Sequence, residues 1–213
     1  MNITISEVDE YIKRMSGPAP QGADKALLTK MHRYGVARKF PIIGPVVGRF
    51  LRQLAMISNA KRILELGSGF GYSAAWFAGG IKKGGRIICI DGSEENRRRA
   101  LAYFNKSPYE KAIDFRVGDA LEIARKLPGG FDIILNDIDK QQYPEAFDLA
   151  IKKLRRGGLF ITDNVLWSGR ILEKTPDAVS KKIIEFNKKL FGSSAILGSI
   201  IPIRDGLGLA VKR

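Results

Sequence analysis

The feature that most constrains the fold is a pattern repeated along the chain: a short β-branched or apolar run ending in glycine, an acid or an amide, followed by a helical pattern. The runs are Arg62 to Leu66, Arg86 to Asp91, Ile113 to Val117, Phe131 to Asn136 and Leu159 to Asp163. This alternation specifies an α/β protein, with a parallel sheet covered by helices on both faces. In an open sheet of that kind the ligand lies beyond the carboxyl ends of the strands. Glu65, Gly67, Asp91, Asp119, Asp137 and Asp163 are therefore expected to line one crevice. A helix is expected around Asp177 to Leu190, then strands at Ala195 to Ile200 and Gly208 to Lys212. Residues before about Arg62 read as helices, with Ser6 as one cap and Pro45 as the start of the helix running to Ile57.

The 213 residues contain no internal repeat, low-complexity tract or linker, so the expectation is a single domain. Within it, residues 1–58 form helices that cap the site and residues 61–213 form the α/β core. No apolar run approaches the ~20 residues of a membrane helix. Met1 to Met15 lacks the apolar core of a signal peptide, which leads to the expectation of a cytoplasmic protein with no membrane partner. Cys89 is the only cysteine and lies in an apolar run. An internal disulfide and a cysteine metal site are both excluded, leaving it as a small buried filler.

Lys and Arg number 36 against 22 Asp and Glu, a formal charge of +14. That excess favours a polyanionic partner such as nucleic acid. The bases are dispersed, however, over Lys82-Lys83, Arg97 to Arg99, Lys152 to Arg156, Lys181-Lys182, Lys188-Lys189 and Lys212-Arg213. Their helix-like spacings equally describe solvated helix faces.

Leu64 to Ser73 passes from a strand through Gly67-Ser68-Gly69-Phe70-Gly71 into a helix, and Asp91 ends the next strand 24 residues after Gly67. Glycines there allow a ligand to approach the backbone, and Asp91 is placed to accept from a ribose diol. The spacing is G-x-G-x-G, preceded by Glu65. A carboxylate at that point repels a pyrophosphate and suits a ligand carrying an ammonium and a sulfonium, so the turn favours S-adenosylmethionine over a nicotinamide cofactor. A turn that only permits tight strand-to-helix packing is the alternative. At Gly118-Asp119-Ala120, Asp119 could accept from an adenine amino group beside the small Ala120, or cap a helix.

Asn136-Asp137-Ile138-Asp139-Lys140 ends the fourth run and Thr162-Asp163-Asn164 the fifth. Neighbouring parallel strands lie about 4.8 Å apart, so oxygens of Asp137, Asp163 and Asn164 could converge on one ion. Such hard ligands suit magnesium, with manganese or calcium as alternatives, rather than zinc. Each residue alone would pass for a turn or cap; the pair of motifs opening into the glycine crevice favours a metal site. Beside a dication the Lys140 pKa should fall, making it a candidate base. His32, the sole histidine, reads as a surface or packing residue, which leaves a Ser-His-Asp mechanism unsupported.

These segments, with Tyr143, Thr162 to Gly169 and Ile201-Pro202 to Arg213, resemble the metal-dependent O-methyltransferases that include catechol and caffeoyl-CoA O-methyltransferases and bacterial relatives. The resemblance runs from about Pro41 to Arg213. It implies a seven-stranded, doubly wound, Rossmann-like sheet whose last strand is antiparallel. It also implies S-adenosylmethionine contacts at Ile43, Glu65, Gly67, Ser73, Asp91, Ala120 and Asp139. Asp137, Asp163 and Asn164 would ligate the metal, Lys140 would be the base, and the enzyme would be a homodimer. The implied substrate is a catechol-like or hydroxylated aromatic small molecule. Some bacterial members methylate 5-hydroxyuridine in tRNA instead, and their Asp-Gly-Leu ending is similar to Asp205-Gly206-Leu207. Val47 stands where catechol-type enzymes carry a lysine, and Ser199 where they carry a glutamate.

Overall fold

The computed structural model describes residues 5–22 and 24–213, with side chains from residue 7 onward. Helices α1 (Ile5–Ser16), α2 (Lys25–Ala37) and α3 (Gly44–Ile57) come first. The chain then alternates through β1 (Arg62–Leu66), α4 (Tyr72–Ala78), β2 (Arg86–Asp91), α5 (Glu94–Phe104), β3 (Ile113–Val117), α6 (Ala120–Lys126), β4 (Phe131–Asn136), α7 (Tyr143–Lys153) and β5 (Leu154–Thr162). It ends with α8 (Ala178–Gly192), β6 (Ile196–Ile201) and β7 (Leu207–Lys212). Among the described residues no helix is long and apolar enough to cross a membrane.

One seven-stranded sheet has the order β3-β2-β1-β4-β5-β7-β6. The reversal beside β1 makes it doubly wound. Only β7 runs against its neighbours, pairing antiparallel with both β5 and β6. Consequently β6 ends at the same edge of the sheet as β1 to β5, and the loop after it opens toward the crevice. Strand alternation divides the core into two layers. Ile63, Ile87, Cys89 and Ile133 pack with Val47, Leu51 and Trp76 from α3 and α4. Leu64, Leu66, Ile134 and Phe160 pack with Phe147 of α7 and Phe186 of α8. Each large apolar side chain so buried contributes about 1.5–3 kcal/mol. Cys89 is free and wholly buried, the expected filler.

The two helical entries differ in their starts. Pro45 lies in the first turn of α3, where its missing N–H costs nothing. Ser6 falls inside α1 rather than at its cap, and its side chain lies outside the described residues. Gly48 lets α3 cross α4 closely, since a Cβ there would overlap the Trp76 indole. Val47 is fully buried in that crossing. β5 begins five residues earlier than the sequence pattern indicates: Leu154 turns the chain extended, and the register with β4 shifts between Phe131 and Ile133. Arg155 of this extra segment is tied to Asp132 Oδ1 at 2.5 Å.

Candidate active site

β1 delivers the site's first carboxylate. Glu65 is in register with Cys89 and Leu135, so its side chain enters the apolar layer beneath α3 and α4. It is fully buried and neither carboxylate oxygen has a hydrogen-bond partner. Burial pushes its pKa up to about 7, an effect that the nearby Ser73 and Ser68 hydroxyls temper without satisfying the charge. An orphaned buried carboxylate is costly unless something positive comes to it.

Beyond Glu65 the backbone turns sharply. Gly67 (φ +81) and Ser68 donate from nitrogen to Ile90 O at 2.9 and 3.0 Å. A Cβ on Gly67 would overlap the Asp137 carbonyl, so glycine is required where the loops after β1 and β4 cross. Asp91, from β2, accepts from Gly69 N at Oδ2 and from Ser93 N and Asn96 Nδ2 at Oδ1, each at 2.9 Å. Two donors on one oxygen and one on the other leave Oδ2 able to take a further hydroxyl.

β4 and β5 end in the second carboxylate pair. Asp137 N donates to Leu66 O at 2.8 Å and Asp163 N to Asn136 O at 3.2 Å, which fixes both residues at adjacent strand ends. Burial raises the pKa of both acids, and Asp137 adds to the rise at Asp163, which reaches about 6. Lys140 Nζ lies 3.1 Å from Asp137 Oδ1 and 5.3 Å from the centre of the Tyr143 ring. The Tyr143 hydroxyl in turn donates to Asp163 O at 2.8 Å. Asn164 adopts φ +59 and donates from Nδ2 to Asp205 Oδ2 at 3.4 Å, leaving its Oδ1 as the free acceptor. Among the described residues no three His, Cys, Asp or Glu side chains cluster in a metal-binding arrangement. The candidate set is instead two mutually repelling, desolvated carboxylates and an amide oxygen, a donor chemistry that fits a hard divalent cation.

A cavity of about 270 Å³ joins the two halves. Of the residues singled out in the sequence, Ile43, Gly67, Ser73 and Asp91 line one part, and Asp137, Lys140, Asp163 and Asn164 the other. Glu65 lies behind the wall. Three expected residues are not brought into it. Asp119 is exposed and caps α6, accepting from Glu122 N at 2.8 Å, with the half-buried Ala120 beginning that helix. Asp139 is exposed and accepts from Gln141 N at 2.9 Å. His32 is half-buried, its Nδ1 3.4 Å from the Tyr72 hydroxyl, and its pKa is lowered by burial.

Sequence reasoning missed four contributors. Phe40 and Ile42, ahead of α3, close one side of the cavity, and Tyr72 lines it from α4 with a hydroxyl that burial pushes up to about 12. Arg204 enters from the β6–β7 loop, and the following Asp205 holds both Asn164 and the backbone N–H of Ser168. The available signal was the loop itself: Pro202 to Gly206 separates two late strands, and a loop after a strand parallel to the others must face the crevice.

Residues 21–213 match the sequence profile of the family described as O-methyltransferase. The chain is 32% identical to a catechol O-methyltransferase of Niastella koreensis over 225 aligned residues, covering 100% of both chains. It is 34% identical to caffeoyl-CoA O-methyltransferase 1 of Eucalyptus globulus, over 76% of this chain and 71% of that one. In three dimensions it is similar to an O-methyltransferase of Bacillus cereus solved in complex with SAH, with a TM-score of 0.85, 27% identity and 97% of each chain covered. A Streptomyces achromogenes O-methyltransferase involved in tomaymycin synthesis, solved in complex with SAM, superposes with a TM-score of 0.84 at 28% identity, covering 96% of this chain and 95% of that one.

Proposed function

Because the chain belongs to the O-methyltransferase family, we propose that it is an S-adenosylmethionine-dependent enzyme that methylates one hydroxyl of a catechol-like or hydroxylated aromatic small molecule with the help of a divalent metal ion. The observation that carries this reading is the single cavity shared by the glycine turn and the acid pair, with the orphaned Glu65 behind one end and Lys140 at the other. When bound, S-adenosylmethionine supplies a methyl group on a positively charged sulfur, and the metal ion supplies Lewis-acid polarisation of the acceptor oxygen.

Ile43, Glu65, Gly67, Ser73 and Asp91 would hold the methyl donor, whose nucleoside would have to extend beyond the cavity to meet Asp119, Ala120 and Asp139. Glu65 would meet its positive charge, and the remaining capacity of Asp91 Oδ2 a ribose hydroxyl. Asp137, Asp163 and Asn164 would hold the metal ion, magnesium first, with manganese or calcium as alternatives. Lys140 would take the acceptor proton at Nζ. Rate then comes mainly from the cavity's alignment of acceptor oxygen and methyl carbon. Two adjacent oxygens on the acceptor suit this site best, and a vicinal diphenol has them.

The test is methyl transfer to catechol by enzyme stripped with EDTA. Turnover should vanish and return with magnesium or manganese, and full turnover in the stripped enzyme would refute metal assistance. A second reading, methyl transfer to 5-hydroxyuridine in tRNA, draws on the net charge of +14.

A further inference from the structure

Arg204 is a cation with no assigned task. It lines the cavity and is exposed, and among the described residues it forms no ion pair. Among the described residues its one side-chain hydrogen bond runs from Nη1 to Ile42 O at 3.0 Å, across 162 positions of sequence. That bond ties the β6–β7 loop to the segment ahead of α3 and holds the guanidinium over Gly44, whose Cβ position would lie 3.7 Å from Nη1. The Nε–Nη2 edge is left free. A guanidinium edge held in place with two parallel N–H groups matches a planar carboxylate.

The backbone adds a second observation. Arg204 has φ +52, in the left-handed region that glycine adopts without penalty and a long side chain does not. An arginine kept in such a conformation at the rim of a cavity points to a use for its side chain. Its guanidinium rests on the segment ahead of α3 while the adjacent Asp205 grips Asn164, so Arg204 stands between that segment and the acid pair. Its charge is felt at Asp137, Asp163 and Tyr72.

We propose that Arg204 is a specificity-determining residue that selects acceptors bearing a carboxylate on the ring that carries the reacting hydroxyl, through the free Nε–Nη2 edge of its guanidinium. The acceptor class thereby narrows from hydroxylated aromatics in general to acidic diphenols. The assignment rests on the acceptor reading given above, and its test separates the two. Calorimetric titration with catechol and with 3,4-dihydroxybenzoate, in the presence of magnesium, measures acceptor preference without turnover. Parallel assays measure methyl transfer to each.

The native protein should bind the carboxylate-bearing diphenol about tenfold or more tightly than the neutral one, the scale of a charge-assisted hydrogen-bonded pair. Arg204→Gly, which suits the backbone, should fold with a thermal midpoint within about 4 °C of the native protein and lose that preference. Arg204→Lys should keep part of it. Equal binding of the two diphenols, no binding of 3,4-dihydroxybenzoate, or a preference that survives in Arg204→Gly would each overturn the proposal. An Arg204-dependent preference without methyl transfer would uphold it and refute the methyltransferase reading. Methyl transfer to both diphenols without discrimination would do the reverse.

Discussion

Glu65 places an acid with no partner in an apolar layer, and the ligand-free protein bears the cost. Its folded-state pKa of about 7 lies above the ordinary carboxylate value of 4.5, so the folded state holds the proton more tightly than the unfolded chain. The associated stability is present in full below the unfolded pKa and is lost as pH rises through about 7. Glu65→Gln removes the charge and should stabilise the ligand-free protein at pH 8 by up to about 3 kcal/mol from linkage, read as a higher thermal midpoint. The gain should shrink toward pH 5, and the same variant should bind S-adenosylmethionine poorly. A midpoint difference independent of pH would refute the linkage. Two other residues should fail in different ways. Asp91→Ala should weaken cofactor binding, whereas Lys140→Ala should lower kcat while cofactor affinity measured by calorimetry stays close to native. Loss of cofactor in Lys140→Ala would remove its assignment as base.

At the level of elements, the loop between β6 and β7 and the loop after β5 form one unit around Asn164. Val165 N donates to Gly206 O at 3.1 Å, Leu166 N to Asp205 O at 2.9 Å, and the Asp205 carboxylate takes both Asn164 Nδ2 and Ser168 N. Asp205 therefore positions an amide rather than touching the ligand. Asp205→Ala should weaken magnesium binding roughly tenfold, the usual scale for a lost supporting contact behind a metal ligand, while leaving Asp91-dependent cofactor binding in place. Unchanged magnesium affinity would show that Asn164 is held by other means. These loops also explain what could be read from the sequence. β1 to β4 were legible because each pairs an apolar run with a terminal glycine, acid or amide, and that ending also placed Asp91, Asp137 and Asp163 at one edge. The early start of β5 was hidden because Lys152 to Arg156 continues the basic, helix-like spacing of α7 until Leu154 turns extended. Arg204 was hidden because its role depends on a positive φ and on a bond to Ile42, neither of which leaves a pattern in the chain.

At the scale of the whole molecule, the sheet sorts the charge of +14 by edge. Lys82-Lys83 precede β2 and Arg155-Arg156 begin β5, both at the edge away from the cavity. Lys212 sits at that edge too, because β7 runs antiparallel with Leu159 opposite Val211, and its Nζ is spent on Ile151 O and Leu154 O. Arg97, Arg98 and Arg99, on α5, are paired with Glu94 and Glu95 of the same helix. Lys189 is paired with Asp148 across α7 and α8. These clusters are therefore turned away from the acid pair or matched by neighbouring acids, whereas a polyanion reaching the methyl-transfer site would have to rely on the few bases beside the mouth, Arg38, Lys39 and Arg204. Binding of tRNA through these clusters should weaken steeply with salt, in proportion to the phosphates neutralised. A small acceptor gripped in the cavity should respond far less, since at most one charged contact is open to screening. We expect tRNA affinity measured at about 50 and 200 mM salt to fall by orders of magnitude, without methyl transfer to tRNA lacking the native modification, while turnover of a diphenol changes by less than about threefold. Methylated 5-hydroxyuridine in that tRNA would reverse the choice of substrate and would require the α2 and pre-α3 bases, Lys30, Arg33, Arg38 and Lys39, to form the nucleic-acid contact.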